Sequence, residues 1–131
     1  MIFVDTSFWI AVQAPRQRLH QQAVQLFRQV QRPLLTTNLV LGESWTVIVR
    51  RAGHHNGLRL LDRLTTTMRL RIVPVSDSLE AEAWRWLRRH DERTYSFVDA
   101  TSFAVMRSLD IQEALAFDED FSAAGFTELR A

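Results

Sequence analysis

The sequence predicts an α/β fold: a central, mostly parallel sheet of four to five strands flanked by helices. Three observations carry this expectation. Short apolar runs alternate with longer segments of helical periodicity, the pattern of strands joined by helical crossovers. The chain has 131 residues and 47% hydrophobic residues, about one ordinary domain with enough apolar surface for a core. No repeat, low-complexity tract or Gly/Ser linker divides it, so residues 1–131 read as a single domain.

The elements follow in order. Ile2-Phe3-Val4 is a buried strand running into Asp5-Thr6-Ser7, a helix-capping sequence. Leu19, Ala23, Leu26, Phe27 and Val30 fall at helical spacing, and Pro33 closes that helix. Leu34 to Thr37 is the second strand. Asn38 is expected to cap a helix carrying Leu41, Trp45, Ile48, Val49 and Ala52 on one face, and Gly53 ends it. A further helix covers His55 to Met68. Arg71 to Val75 is a third strand whose Pro74 places it at an edge or a strand end. Asp77 with Glu80 predicts a capping box for a helix through Leu79, Ala83, Trp86 and Leu87. After a polar loop over His90 to Thr94, a helix runs from Phe97 to Leu109. Ala114 to Phe117 is the fourth strand, a short helical turn stops at Gly125, and Thr127 to Arg130 offers a last strand.

Composition excludes several chemistries. With no cysteine, a disulfide framework, a thiolate zinc site and a cysteine nucleophile are ruled out. No apolar run approaches a membrane span and Asp5 interrupts the N-terminal one, so the expectation is a cytoplasmic protein without a membrane segment. The net charge of +1 hides an asymmetry. Residues 1–71 hold ten Arg against three acids, and residues 72–131 hold six Arg against twelve. There is no Lys. Arginine's planar fork matches phosphate, so the basic half is compatible with nucleic acid, although a solvated surface has the same composition.

Four acids far apart in the chain, Asp5, Glu43, Asp99 and Asp118, sit at or just beyond predicted helix starts, with Asp120 beside the last. In open parallel sheets ligands bind outside the carboxyl ends of the strands, and all four can face that end. Together they would suit Mg²⁺ or Mn²⁺ and phosphodiester chemistry. Helix capping is the competing explanation for Asp5 and Asp118, and Ser96-x-x-Asp99 approximates a capping box. Glu43 resists it: its neighbours at helical spacing, Leu39, Val40, Thr46 and Val47, include no basic partner.

Four stretches resemble the PIN-domain ribonucleases, specifically the VapC-like toxins of toxin–antitoxin pairs. They are Ile2 to Ser7; Thr36 to Glu43 with Arg50-Arg51-Ala52-Gly53 behind it; Ser96 to Ala100; and Ala116 to Phe121, in family order across nearly the whole chain. The resemblance implies a three-layer sandwich and a metal-dependent endoribonuclease in which Asp5, Glu43, Asp99 and Asp118 hold Mg²⁺, with Mn²⁺ as the alternative ion. Ser7, Asp120 and Thr101 would support the site, as would Thr6. Both Asp118 and Asp120 recur in that motif of the family, and the sequence does not rank them. Products would carry a 5′-phosphate and a 3′-hydroxyl. The implied partners are an RNA substrate, a second copy in a homodimer, and a cognate antitoxin whose C-terminal segment blocks the acidic pocket, often with an Arg.

Substrate contacts are less legible. Arg50 and Arg51, with Arg69 and Arg71, are candidates for RNA phosphates; Trp9, Trp45, Trp84, Trp86 and Tyr95 could stack on bases, although the tryptophans mostly fall on apolar helical faces and read as core or subunit contacts. His20, His54, His55 and His90 show no metal-ligand spacing. A receiver domain would want a lysine, a haloacid-dehalogenase-like phosphatase Asp-x-Asp after the first strand, and a dinucleotide fold a Gly-rich turn; none is present. Two other readings stay open at this level: a catalytically silent PIN-like binding module, and a nuclease acting on DNA.

Overall fold

The computed structural model describes residues 1–131. Five strands, β1 (Ile2–Val4), β2 (Leu34–Thr37), β3 (Leu70–Val73), β4 (Glu113–Leu115) and β5 (Thr127–Glu128), form one sheet in the order β3-β2-β1-β4-β5. Every pairing is parallel, so "mostly parallel" becomes wholly parallel. The helices are α1 (Thr6–Gln13), α2 (His20–Gln29), α3 (Asn38–Thr66), α4 (Asp77–Arg89), α5 (Phe97–Ser108) and α6 (Asp120–Ala123).

The central strands are apolar because both faces are covered. Ile2, Phe3, Val4, Leu34, Leu35, Ala114 and Leu115 have no exposed surface. β3 lies at the edge, its Ile72 is 45% exposed, and it ends before Pro74, whose missing N–H cannot serve a ladder. From β1 the chain steps outward to β2 and β3, then returns past β1 to β4 and β5. Because parallel crossovers are right-handed, this reversal puts α1–α3 on one face and α4–α5 on the other. α1 packs on α2 and α3, and α4 on α5.

Two helix caps differ from expectation by one residue. Thr37, not Asn38, caps α3: its side chain accepts from Val40 N–H, while Asn38 Oδ1 accepts from Val75 N–H across the sheet edge. Likewise Ser76, not Asp77, caps α4 through Leu79 N–H. Gly53 interrupts α3 with φ 87 and ψ 166, where the sequence predicts a helix end. The two arms fold back on each other, and Gly57 permits the approach: a Cβ there would lie 2.7 Å from Val49 Cγ2 and 2.9 Å from the Trp45 ring.

Trp9 and Trp86 are buried, as their apolar faces predict. Trp84 is half-exposed and stacks on Phe97 at 4.3 Å. No helix is long and apolar enough to cross a membrane.

Candidate active site

The reversal of strand order falls between β1 and β4, whose carboxyl ends diverge toward helices on opposite sides; that crevice is where open α/β sheets bind ligands. Asp5 follows β1 directly, its N–H donating to Leu115 O of β4 at 3.0 Å. Asp118 lies three residues beyond β4, and α5 brings in Asp99 from the side. One carboxylate oxygen from each lies within 4.8 Å of the others.

Each acid is fixed by its own local chemistry. Asp5 caps α1, with Oδ2 accepting both Ser7 N–H (3.1 Å) and Ser7 Oγ–H (2.8 Å). Ser7 Oγ in turn accepts from Phe117 N–H at 2.9 Å, tying the β4 exit to the β1 exit. Asp99 completes the capping box foreseen in the sequence: Ser96 N–H donates to Asp99 Oδ2 (3.0 Å) and Asp99 N–H to Ser96 Oγ (2.9 Å). For Asp5 and Asp99, capping and clustering are therefore one arrangement, since the cap hydrogen bonds hold those carboxylates at the crevice; Asp118 caps no helix.

Asp118 and Asp120, unranked by sequence, have different surroundings. Asp118 belongs to the triad and its Oδ1 accepts Asp120 N–H at 3.2 Å. Asp120 is taken up by Arg93, whose Nε and Nη2 both reach Oδ1, at 3.1 and 2.9 Å. Between them Glu119 adopts a left-handed conformation, φ 67. Arg130 steadies this exit loop by donating to Ala116 O at 2.8 Å and lying over the Phe117 ring.

The triad's electrostatics are those of buried, mutually repelling carboxylates. Burial, then the charge of Asp118, raises Asp5 well above the ordinary carboxylate range against the opposing pull of the Ser7 hydrogen bonds. Burial pushes Asp99 up to about 7, opposed by the backbone hydrogen bond from Ser96 and assisted by Asp118 and Asp120. Asp118 rises to about 6, through partial loss of solvent and then the charge of Asp120, although its outer edge remains exposed.

The cleft around the triad is about 310 Å³ and is walled also by Thr6, Ser7, Glu43, Arg51, Thr94 and Asp120. Glu43 reaches this wall from α3 without joining the 4.8 Å group. Thr6 Oγ1 is buried without a hydrogen-bond partner in the protein. Three hard carboxylate oxygens at short range, beside an unsatisfied hydroxyl, are a donor set suited to Mg²⁺ or Mn²⁺.

Of the remaining sequence-derived residues, Thr101 is fully buried, donates to Val98 O at 2.8 Å and does not line the cleft. Arg51 lines it; Arg50 is exposed and does not. Sequence reasoning missed Arg93. It sits in the polar loop already marked out, but its partner is 27 residues away and nothing local announces the pair.

Fold and cluster together define a class: an α/β protein with a carboxylate site at the switch point of a parallel sheet. Residues 2–127 match the PIN domain family, and the chain belongs to it. Among curated proteins it is 53% identical over 131 residues to the 23S rRNA-specific endonuclease VapC20 of Mycobacterium tuberculosis, in strains CDC 1551 and H37Rv, covering 99% of this chain and 98% of the relative. The crystal structure of M. tuberculosis VapC20, described as a sarcin–ricin-loop-cleaving toxin, superposes with a TM-score of 0.94 at 49% identity over the whole of both chains. FitAcB from Neisseria gonorrhoeae shares the fold, with a TM-score of 0.69 at 14% identity, over 100% of this chain and 97% of that one.

Proposed function

We propose that this chain is a metal-dependent endoribonuclease, the toxin of a toxin–antitoxin pair, whose substrate is ribosomal RNA at a sarcin–ricin-type loop. The observation that carries the reading is the carboxylate triad at the switch point of a chain half identical, end to end, to a 23S rRNA endonuclease.

Asp5, Asp99 and Asp118 would hold the divalent ion, with Glu43 reaching it directly or through water. When bound, the ion supplies positive charge against the scissile phosphate and lowers the pKa of a water for in-line attack. The chain's own residues do the positioning. Ser7 occupies Oδ2 of Asp5 and leaves its other oxygen for the cation. Ser96 fixes the Asp99 rotamer. Arg93 neutralises Asp120, so Asp118 completes the triad and Asp120 supports it by shaping the exit loop. Arg51, the one cation on the cleft wall, meets a substrate phosphate next to the acids. The chain acts in the cytoplasm as a homodimer and is silenced by a cognate antitoxin.

Purified protein incubated with intact 23S rRNA, other structured RNA and DNA, with Mg²⁺, Mn²⁺ or chelator, tests this. A discrete rRNA cut, abolished by chelation and in folded Asp5→Ala and Asp99→Ala, is expected. Equal cleavage by those variants sinks the site, and cutting confined to DNA sinks the substrate. Co-expression with the neighbouring reading frame tests the antitoxin: a neighbour that neither binds nor inhibits removes the toxin assignment.

A further inference from the structure

The largest depression of the molecule, about 780 Å³, is not the acidic cleft. It contains Gln13, the last residue of α1, together with Met68 and Arg69, which precede β3; it therefore lies at the amino ends of the strands. α1 runs from the acids to this depression, and its eight residues span about 12 Å.

Arg59, Arg63 and Arg69 line it, with Asp62 the one acid on its wall. None of the three, nor neighbouring Arg28, forms an ion pair with a carboxylate. The guanidinium groups of Arg63 and Arg69 lie over the Phe27 ring, 5.2 and 4.9 Å from its centroid. Arg63 Nε donates to Gln13 Oε1, and Arg69 Nη2 to Phe27 O at 2.9 Å. Arg69 Nε is buried with no partner. Burial, then the charges of Arg59 and Arg28, lowers Arg63. Like charges are thus crowded and partly desolvated around a donor that nothing accepts from.

We propose that this depression binds phosphate groups, and that it is a second anchor for the RNA backbone at the end of the sheet remote from the acids. Only Phe27 and Met68 among its lining residues are apolar, which suits a dense anion better than a partner helix that must bury an apolar face. The stacked forks are already ordered, so little side-chain entropy is lost on binding. The proposal rests on the endoribonuclease reading and gives its substrate a second point of attachment.

The test is the salt dependence of stem–loop RNA affinity, by fluorescence anisotropy in chelator from 50 to 200 mM salt, for the wild type, Arg59→Ala and Arg59→Ala/Arg63→Ala. Each phosphate that a variant no longer neutralises should flatten the slope of log K against log salt by about 0.7 to 0.9. The single variant, at an exposed residue, is expected to neutralise about one phosphate fewer and the double about two fewer, with Arg59→Lys close to wild type. Inorganic phosphate should raise the wild-type melting temperature above chloride at equal ionic strength, and less so in the double variant. Unchanged slopes overturn the anchor, whether phosphate alone still stabilises the fold or a polyglutamate peptide binds there instead. Wild-type cleavage with Mn²⁺ is scored in parallel. Cleavage with unchanged slopes removes the anchor and leaves the endoribonuclease reading standing; flattened slopes without cleavage do the reverse.

Discussion

The two ends of the sheet make opposite electrostatic demands on one scaffold. At the carboxyl ends of β1 and β4, three carboxylates crowd together with two of them buried. At the amino ends of β2 and β3, three arginines crowd together without a carboxylate partner. α1 joins the two: Asp5 caps its start and Gln13, held by Arg63, is its last residue. Neither cluster is a means of stability, because like charges drawn from water cost free energy. A divalent cation at the first and a phosphate at the second, as proposed above, would offset those costs.

The sharpest way to break this contrast is Asp99→Asn, which removes one charge while its Oδ1 can still accept from Ser96 N–H. We expect RNA cleavage to fall by more than about 100-fold, beyond the roughly 10–100-fold typical of residues one layer outside a metal's ligands. The metal-free protein should nonetheless melt at a higher temperature near pH 8.

The pH dependence of stability sharpens the same point. Burial pushes Asp99 from an ordinary 3.8 up to about 7 in the folded chain, so the native state binds the extra proton. The stability that Asp99 contributes to the metal-free chain is then fully present below about pH 4 and is lost as pH rises through 7, by on the order of 4 kcal/mol. Asp5 adds in the same direction, whereas Asp118, partly exposed, adds less. Denaturant melts at pH 5 and 8 with chelator measure this, and divalent ion should reverse the loss. A flat profile would contradict the crowding.

Ser7→Ala should have a smaller effect. It frees Asp5 Oδ2 from one bond and unties Phe117 N–H, and cleavage is expected to drop about 10-fold without loss of fold. The smallest effect belongs to Arg93→Ala. Releasing Asp120 should change cleavage by a few-fold at most, since Asp118 remains in place. A loss as large as that of Asp99→Asn would contradict a merely supporting role for the Arg93–Asp120 pair.

The acidic end was largely legible in the sequence because its determinants are local. A strand followed at once by Asp5, and the Ser96-x-x-Asp99 spacing, each specify a backbone geometry within four residues. Cap positions slipped by one at Thr37 and Ser76 because adjacent residues were equally able to cap, and the choice depends on where the backbone leaves the strand or loop. The apolar neighbours of Glu43 suggested an uncompensated carboxylate, while in three dimensions that side chain borders the cleft. Arg93 with Asp120, and the arginines gathered around Phe27, join segments tens of residues apart. No periodicity encodes such meetings.

The most direct test of the central account is calorimetric titration of Mn²⁺ into metal-free wild type and Asp99→Asn at pH 7.5, with the melting temperature recorded at each end point. The account predicts saturable binding to the wild type, proton release on binding, and a rise in melting temperature, with affinity at least about 100-fold weaker in the variant. Equal affinity and equal stabilisation in the two proteins would contradict it.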